Sequence, residues 1–397
     1  MDRVIFGISG SIAAFKGLDV IRLLVKDGIS VLPVLSGGGS EFVTRLSVES
    51  LAGRRAITEI FPDVPQNEFE HIVLSREADL LVTCPASADI LAKYACGIAD
   101  DPLALVSLTF GLPHIVVPAM NPRLWSNPAT QANVKLLVER GFEFIGPVKG
   151  GVACGDEGWG RMSPVEEIYG KIKAALGRKG PLAGKRIVIT AGATREPIDD
   201  VRYISNRSSG KMGFALASIA RDMGAQTTLI TATKWVPLAQ VSGVNLIKVE
   251  TTGEMFNAVV EQSANADVII MSAAPADFTP VKPVKGKIKK DSGLDSIKLK
   301  PTTDILTELG KRDPKPYLLV GFAAEYGPEG RDEAKRKCRE KNCDFVCLND
   351  ISRTDIGFSS DENEITIVYP DGSEKSIERC AKMKVAKAIL DEIVSRL

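Results

Sequence analysis

No stretch of this chain is apolar for long enough to cross a bilayer, and its opening, MDRVIFGISGSIAAF, breaks into short apolar pieces at Gly and Ser. The basic start and cleavage pattern of a secretory signal are missing as well. Net charge is absent too: 50 Lys and Arg balance 50 Asp and Glu, so no global field draws the chain to nucleic acid or an anionic membrane. The seven cysteines include no CxxC pair, which removes the simplest zinc pattern and suits a reducing cytoplasm. The strand-to-helix loops lack both GxGxxG and GxxxxGK[ST], which speaks against dinucleotide and P-loop sites. What is present is ordinary for globular protein: 44% hydrophobic and 25% charged residues in a chain of 397, long enough for two domains.

The apolar pattern supports that division. Val4–Ile8 reads as a strand, and Ile12, Phe15, Leu18, Ile21, Leu24 and Val25 then recur at helical spacing until Asp27-Gly28. Val31–Leu35, Leu80–Thr83 and Ile115–Val117 are further strands. A linker-like stretch, Leu176–Gly184, precedes a fresh start at Arg186–Gly192. Strands follow at Thr228–Thr231, Val268–Met271, Leu318–Gly321 and Phe345–Leu348. Ile365–Tyr369, the Asp371-Gly372 turn and Ser376-Ile377 form a hairpin, and a helix from about Ala381 closes the chain. Continuous apolar strands between amphipathic helices imply parallel sheets covered on both faces. The expected fold is therefore α/β with two Rossmann-like, doubly wound domains, residues 1–180 and 181–397.

In the first domain, Gly7–Ala14 sets glycines and hydroxyls between a strand and a helix N-terminus, which suits either a phosphate or a plain tight turn. Cys84–Asp89 offers a second set of contacts at the same sheet edge. Pro118–Trp125 places Asn121 and an aromatic directly after a strand. Cys154 lies in the glycine-rich Gly150–Met162, where a thiol is accessible to substrate. His114 stands at a strand entrance, where a lone histidine is more often structural.

The GSIAA loop, the PxMNxxxW segment and the ACGD flap resemble the flavin-dependent cysteine decarboxylases, specifically phosphopantothenoylcysteine decarboxylases, along residues 1–175. The resemblance implies a flavodoxin-related, FMN-binding domain that forms trimers. It implies FMN contacts at Gly10, Ser11, Ser36, Ser87 and Met120, a catalytic histidine at His71, a substrate-binding asparagine at Asn121 and a flap cysteine at Cys154. A thiol on a closing flap suits a proton donor, and a neutral amide suits a carboxylate that is about to leave. Leu124 stands where the family often has Met.

In the second domain, Val201–Gly213 opens a helix with Ser, Gly and Lys, a composition that suits an anion. Asp277 follows an apolar strand, where open sheets bind ligands. Lys282, Lys285, Lys287, Lys289, Lys290, Lys298 and Lys300 crowd one loop. Most read as a solvated basic face, and no aromatic interleaving points to nucleic acid. Lys337 and Lys341, four apart, fall on one helical face and by themselves read as surface lysines.

ITAGATREPIDDVRYISNRSSGKMG, AAPADF, KIKK and GFAAE together resemble the phosphopantothenate–cysteine ligases over residues 185–397. The resemblance implies CTP and Mg²⁺, an acyl-cytidylate intermediate contacted by Asn206 with Arg202 supporting that loop, and association into dimers. It implies a nucleotide site formed by Ser272, Ala273, Asp277, Lys287, Phe322, Lys337 and Lys341, with Lys287 stabilising charge during activation. It assigns no Mg²⁺ ligand. Lys300-Pro301-Thr302-Thr303 stands where that family more often carries an asparagine-containing segment.

Together the two resemblances imply a cytoplasmic homo-oligomer, trimers of one domain joined by dimers of the other, acting on 4′-phosphopantothenate, cysteine and CTP. Another flavin decarboxylase, a flavin prenyltransferase and an FMN-binding regulator share the first fold. Cys154 and the fused ligase argue against the first two, and the joint presence of His71, Asn121 and Cys154 argues against the third.

Overall fold

Apolar residues in unbroken runs have no solvent-facing side, so each run must become a strand with a packed layer on both faces. β1 (Arg3–Ile8) does this: Val4, Phe6 and Ile8 enter one core, whereas Ile5 enters the core on the opposite face. β2 (Ser30–Leu35), β3 (Leu80–Ala86) and β4 (His114–Pro118) are buried along their whole lengths. With β5 (Glu143–Phe144) they form a five-stranded parallel sheet in the order β2-β1-β3-β4-β5. A computed structural model of the chain describes residues 2–61, 70–151, 155–289, 296–327, 329–352 and 360–397.

The chain divides into two units, residues 1–176 and 177–397. In the first, the helix Ala14–Lys26 lies so close to β3 that a Cβ on Gly17 would approach the Cys84 carbonyl oxygen to 2.8 Å. Ile21 and Leu24 of that helix enter the core as the periodicity predicts. Ile12 and Phe15 do not; they stay exposed. β6 (Val148–Gly151) and β7 (Glu157–Arg161) form an antiparallel ribbon, regular structure where the glycine-rich sequence suggested only a flap.

The second unit is built on β8 (Arg186–Ala191). β9 (Arg195–Pro197) and β10 (Tyr203–Ser205) make a small hairpin. β11 (Gln226–Thr231), β12 (Asn245–Lys248) and β13 (Val268–Met271) join β8 in the main sheet. β14 (Phe278–Pro280) and β15 (Leu299–Pro301) pair apart from it. β16 (Leu318–Glu325) and β17 (Phe345–Asp350) continue the parallel array. β18 (Glu362–Val368) and β19 (Glu374–Ala381) return antiparallel, giving the order β12-β11-β8-β13-β16-β17-β18-β19. The expected α/β architecture of two parallel-sheet domains holds, with the predicted terminal hairpin forming the antiparallel edge. Residues 177–180 pack with the second unit, because Cβ atoms on Gly177 and Gly180 would lie 2.4 Å from the Asp222 and Met223 carbonyl oxygens. Among the described residues no helix is long and apolar enough to cross a membrane.

Candidate functional site

In an open parallel sheet, ligands bind beyond the strand C-termini where the connections diverge to either side. In the first unit the chain leaves β1 for β2 on one side and later returns to β3 on the other, so that point lies between β1 and β3. Ser9, at the end of β1, is fully buried there. Its hydroxyl donates to the Pro85 carbonyl at 2.9 Å and accepts from the Ser87 amide at 2.8 Å, which ties the two loops together. Ser87 then caps the helix Ala88–Cys96 by accepting from the Ile90 amide at 3.2 Å. After β2, Ser36 accepts from the Gly39 amide at 2.9 Å. Only glycine fits at position 39, where a Cβ would sit 2.3 Å from the Ile8 carbonyl oxygen.

These loops border a cavity of 610 Å³. Gly10, Ser11, Ser87, Met120 and Asn121 line it, so five of the predicted residues share one space. Ile12, Phe15, Phe42 and Leu124 supply apolar walls, which explains why the first two stay out of the core. The Met120 amide donates to the Gly160 carbonyl at 2.9 Å, docking the β6–β7 ribbon against this segment. Asn121 Oδ1 accepts from the Arg123 amide and its Nδ2 donates to Asp156, each at 2.8 Å, so the amide is held in one orientation. Ser36 shapes the adjacent turn but does not line the cavity. His71 lies half-buried on the helix Glu70–Glu77, also away from the lining. Cys154 falls outside the described residues.

His114 behaves as the structural residue that its position suggests. It is fully buried, with Nε2 2.8 Å from the Thr83 hydroxyl and Nδ1 3.4 Å from Ser107. Burial pushes its pKa down to about 3, which keeps the ring neutral.

In the second unit the connections diverge between β8 and β13, and a cavity of 360 Å³ lies beyond those strand ends. Its wall is pinned by hydrogen bonds. Ser272 donates to the Thr190 carbonyl at 2.5 Å, the Ala273 amide to the Thr190 hydroxyl at 3.1 Å, and the Ala276 amide to the Thr194 hydroxyl at 2.9 Å. Asn206 Nδ2 donates to the Ala274 and Pro275 carbonyls at 3.2 and 3.0 Å. Ser272, Ala273, Asp277, Phe322 and Lys341 line the cavity. Lys341 pairs with Asp304 at 2.8 Å. Burial pushes the Asp304 pKa up, but the hydrogen bonds from Lys341 and the Thr307 amide outweigh it and hold the group low.

Lys337 instead pairs with Glu325, and Lys341 is not on its helical face as expected, because the helix Gly330–Glu340 ends before it and Lys341 forms the C-cap. Arg202, Asn206, Lys287 and Lys337 are not among the lining residues. Arg202 is engaged by Asp199, whose Oδ2 accepts from Nε at 3.0 Å and from the Ile288 amide at 3.1 Å. The Arg202 guanidinium holds the Asp199 carboxyl far below the usual carboxylate range. That carboxylate thereby fastens the segment bearing exposed Lys287 to the loop that leads to Asn206. Thr302, Asn349, Asn363 and Lys382 also line the cavity, and none was singled out as a site residue from sequence. Only the unusual Lys300–Thr303 segment carried a signal.

By class, the chain joins a flavoprotein unit to a pantothenate-metabolism unit. The flavoprotein family model matches residues 1–177, and the DNA/pantothenate metabolism flavoprotein C-terminal domain matches residues 182–397. A coenzyme A biosynthesis bifunctional protein CoaBC of Haemophilus influenzae is 38% identical over 394 residues, covering 99% of this chain and 97% of that protein. Those of Bacillus subtilis and Mycobacterium tuberculosis are each 37% identical, over 396 and 408 residues, covering 99% and 100% of this chain and 97% of either protein. The chain belongs to the family of coenzyme A biosynthesis bifunctional proteins, enzymes that combine a decarboxylase with a ligase.

Proposed function

We propose that the C-terminal unit ligates cysteine to 4′-phosphopantothenate through an acyl-cytidylate made from CTP. The N-terminal unit then decarboxylates 4′-phosphopantothenoylcysteine to 4′-phosphopantetheine with FMN. The observation that carries this reading is the convergence of Gly10, Ser11, Ser87, Met120 and Asn121 on one cavity at the β1/β3 divergence. The cavity suits FMN: apolar walls from Ile12, Phe15 and Leu124 accept a flat ring, and the glycine–serine loops leave backbone N–H groups for a phosphate. We divide the two activities within residues 177–181.

Bound there, FMN supplies an oxidant for the cysteinyl thiol side and the reducing equivalents that are returned after carboxylate loss. Asn121 holds the departing carboxylate by hydrogen bonds, and its neutral amide does not favour the charged ground state. Cys154 donates the proton to the enethiol product, and His71 orients or shuttles a proton in the first half. In the ligase, the phosphopantothenate carboxylate attacks the α-phosphate of CTP and pyrophosphate leaves. The cysteine amine then attacks the acyl carbon and CMP leaves. Lys287 steadies the charge moving onto pyrophosphate, and Asn206, supported by Arg202, holds the intermediate. Ser272, Ala273, Asp277, Phe322, Lys337 and Lys341 form the nucleotide site. Mg²⁺ accompanies CTP in this reading, and no residue of the chain is assigned to it. Trimers of the N-terminal unit, dimers of the C-terminal unit and a cytoplasmic location complete the proposal.

Purified protein given phosphopantothenate, cysteine, Mg²⁺ and CTP, with ATP in a parallel reaction, is expected to yield phosphopantetheine with CTP. Failure to form either phosphopantothenoylcysteine or phosphopantetheine with both nucleotides overturns the proposal. A Cys154→Ser variant is expected to accumulate the enethiol while ligation continues. Full turnover by that variant removes Cys154 from its role.

A further inference from the structure

The inner end of the ligase cavity is built from chain stretches that carry none of the ligase-like motifs. Asn349 comes from β17, Asn363 from β18, and Lys382 opens the helix Lys382–Val394. Asn349 is 8% exposed and Asn363 4%, and neither Oδ1 atom has a hydrogen-bond partner. Native interiors almost always satisfy such groups, since a buried amide oxygen left unpaired costs about 1–3 kcal/mol. Two of them on one cavity wall point to a ligand that supplies the missing donors.

Cations stand beside them. Lys382 is only 6% exposed; its ammonium donates to the Ser360 carbonyl and its amide to the Asp361 carbonyl at 2.9 Å. Lys211 pairs with the Asp361 carboxylate at 2.6 Å and also lines the cavity. Burial, reinforced by the charge of Lys211 and opposed by Asp361, pushes the Lys382 pKa down to about 8. Lys211 and Lys382 both line the cavity, so an anion bound there meets two ammonium groups. Lys211 also begins the helix Lys211–Asp222, whose N-cap, Gly210, has φ 78° and offers no side-chain cap to the first-turn N–H groups.

We propose that Lys382 and Asn363, with Asn349 and Lys211, form a phosphate subsite of the ligase cavity that grips a phosphorylated, hydroxyl-bearing substrate. The ammonium groups and the helix N-terminus hold the phosphate, and the two amide oxygens accept from hydroxyls next to it. Both CTP and phosphopantothenate have this chemistry. The inference rests on the proposed ligase activity and adds residues that this proposal does not use.

The test measures equilibrium binding of four ligands to the full-length chain by calorimetry: CTP with Mg²⁺, cytidine, phosphopantothenate and pantothenate. Lys382→Met and Asn363→Asp are expected to weaken one phosphorylated ligand at least tenfold while its dephosphorylated counterpart is unaffected. Loss confined to CTP assigns the subsite to the nucleotide, and loss confined to phosphopantothenate assigns it to the phosphomonoester. Lys382→Arg, which keeps the charge, is expected to restore most of the binding. Asn363→Asp keeps the side-chain volume and adds a repelling charge, so it decides the matter should Lys382→Met melt early. Unchanged binding of both phosphorylated ligands overturns the subsite, as does equal weakening of a phosphorylated ligand and its counterpart. If the wild-type chain binds neither phosphorylated ligand, the ligase proposal itself fails.

Discussion

His114 and Lys382 are both buried ionisable groups, yet one is satisfied and the other sits beside atoms that lack partners. Folded, His114 stays neutral down to about pH 3, whereas an exposed histidine takes up its proton near pH 6.5. Between those values the unfolded chain binds a proton that the folded chain does not. Stability therefore falls as the pH drops through that window, by about 1.4 kcal/mol per unit for this residue. Replacing His114 with Phe is expected to remove that component, so wild type loses about 2–3 kcal/mol more than the variant between about pH 7 and about pH 4.5. Urea unfolding at the two pH values measures it, and parallel losses in the two proteins refute it. At this scale the sequence was only partly legible. Asn121 and Asp277 announce themselves because each lies in the loop that follows an apolar strand. Asn363 and Lys382 lie within a hairpin and at a helix start with nothing local to distinguish them, and their setting arises only when β18 returns beside β17.

Among the elements, every strand with a continuous apolar run was readable, because burial on both faces leaves a run of Val, Ile and Leu no other place. The β6–β7, β9–β10 and β14–β15 pairs were not readable. Their residues are short, mixed and mostly exposed, and much of what holds them is remote in sequence, as when Asp199 grips the Ile288 amide. The loop after β2 shows how tightly such contacts constrain a site. Ala at position 39 drives a methyl group into the Ile8 carbonyl and must displace the turn that holds Ser36. Gly39→Ala is expected to cost ~1–3 kcal/mol and to lower flavin content. Flavin absorbance per protein in the purified variant reads this, and wild-type occupancy shows that the turn does not shape the flavin site.

Over the whole molecule, each hydrophobic core is confined to one unit. The two clusters of the first unit run from Val4 to Ile172 and those of the second from Leu182 to Ile393. A chain cut after Leu176 is thus expected to give two separately folded parts, one decarboxylating supplied phosphopantothenoylcysteine and the other ligating. Loss of both activities on cutting, with each part soluble, shows that the units depend on each other. This level of organisation was the most legible of all, since the strand–glycine–helix opening at Val4 recurs at Arg186 after a linker-like stretch.

The order in which the main sheet of the second unit is laid down has a consequence for synthesis. β8 to β17 and the Ser208–Gly213 loop all precede β18 in the chain, so they are synthesised before Asn363 and Lys382. A message broken before codon 363, or a protease trimming the last hairpin, leaves a chain with the Asp277 wall and Asn349 but without Asn363 and Lys382. If the proposed phosphate subsite holds, phosphorylated substrate stabilises the finished chain by mass action more than it stabilises a shortened one.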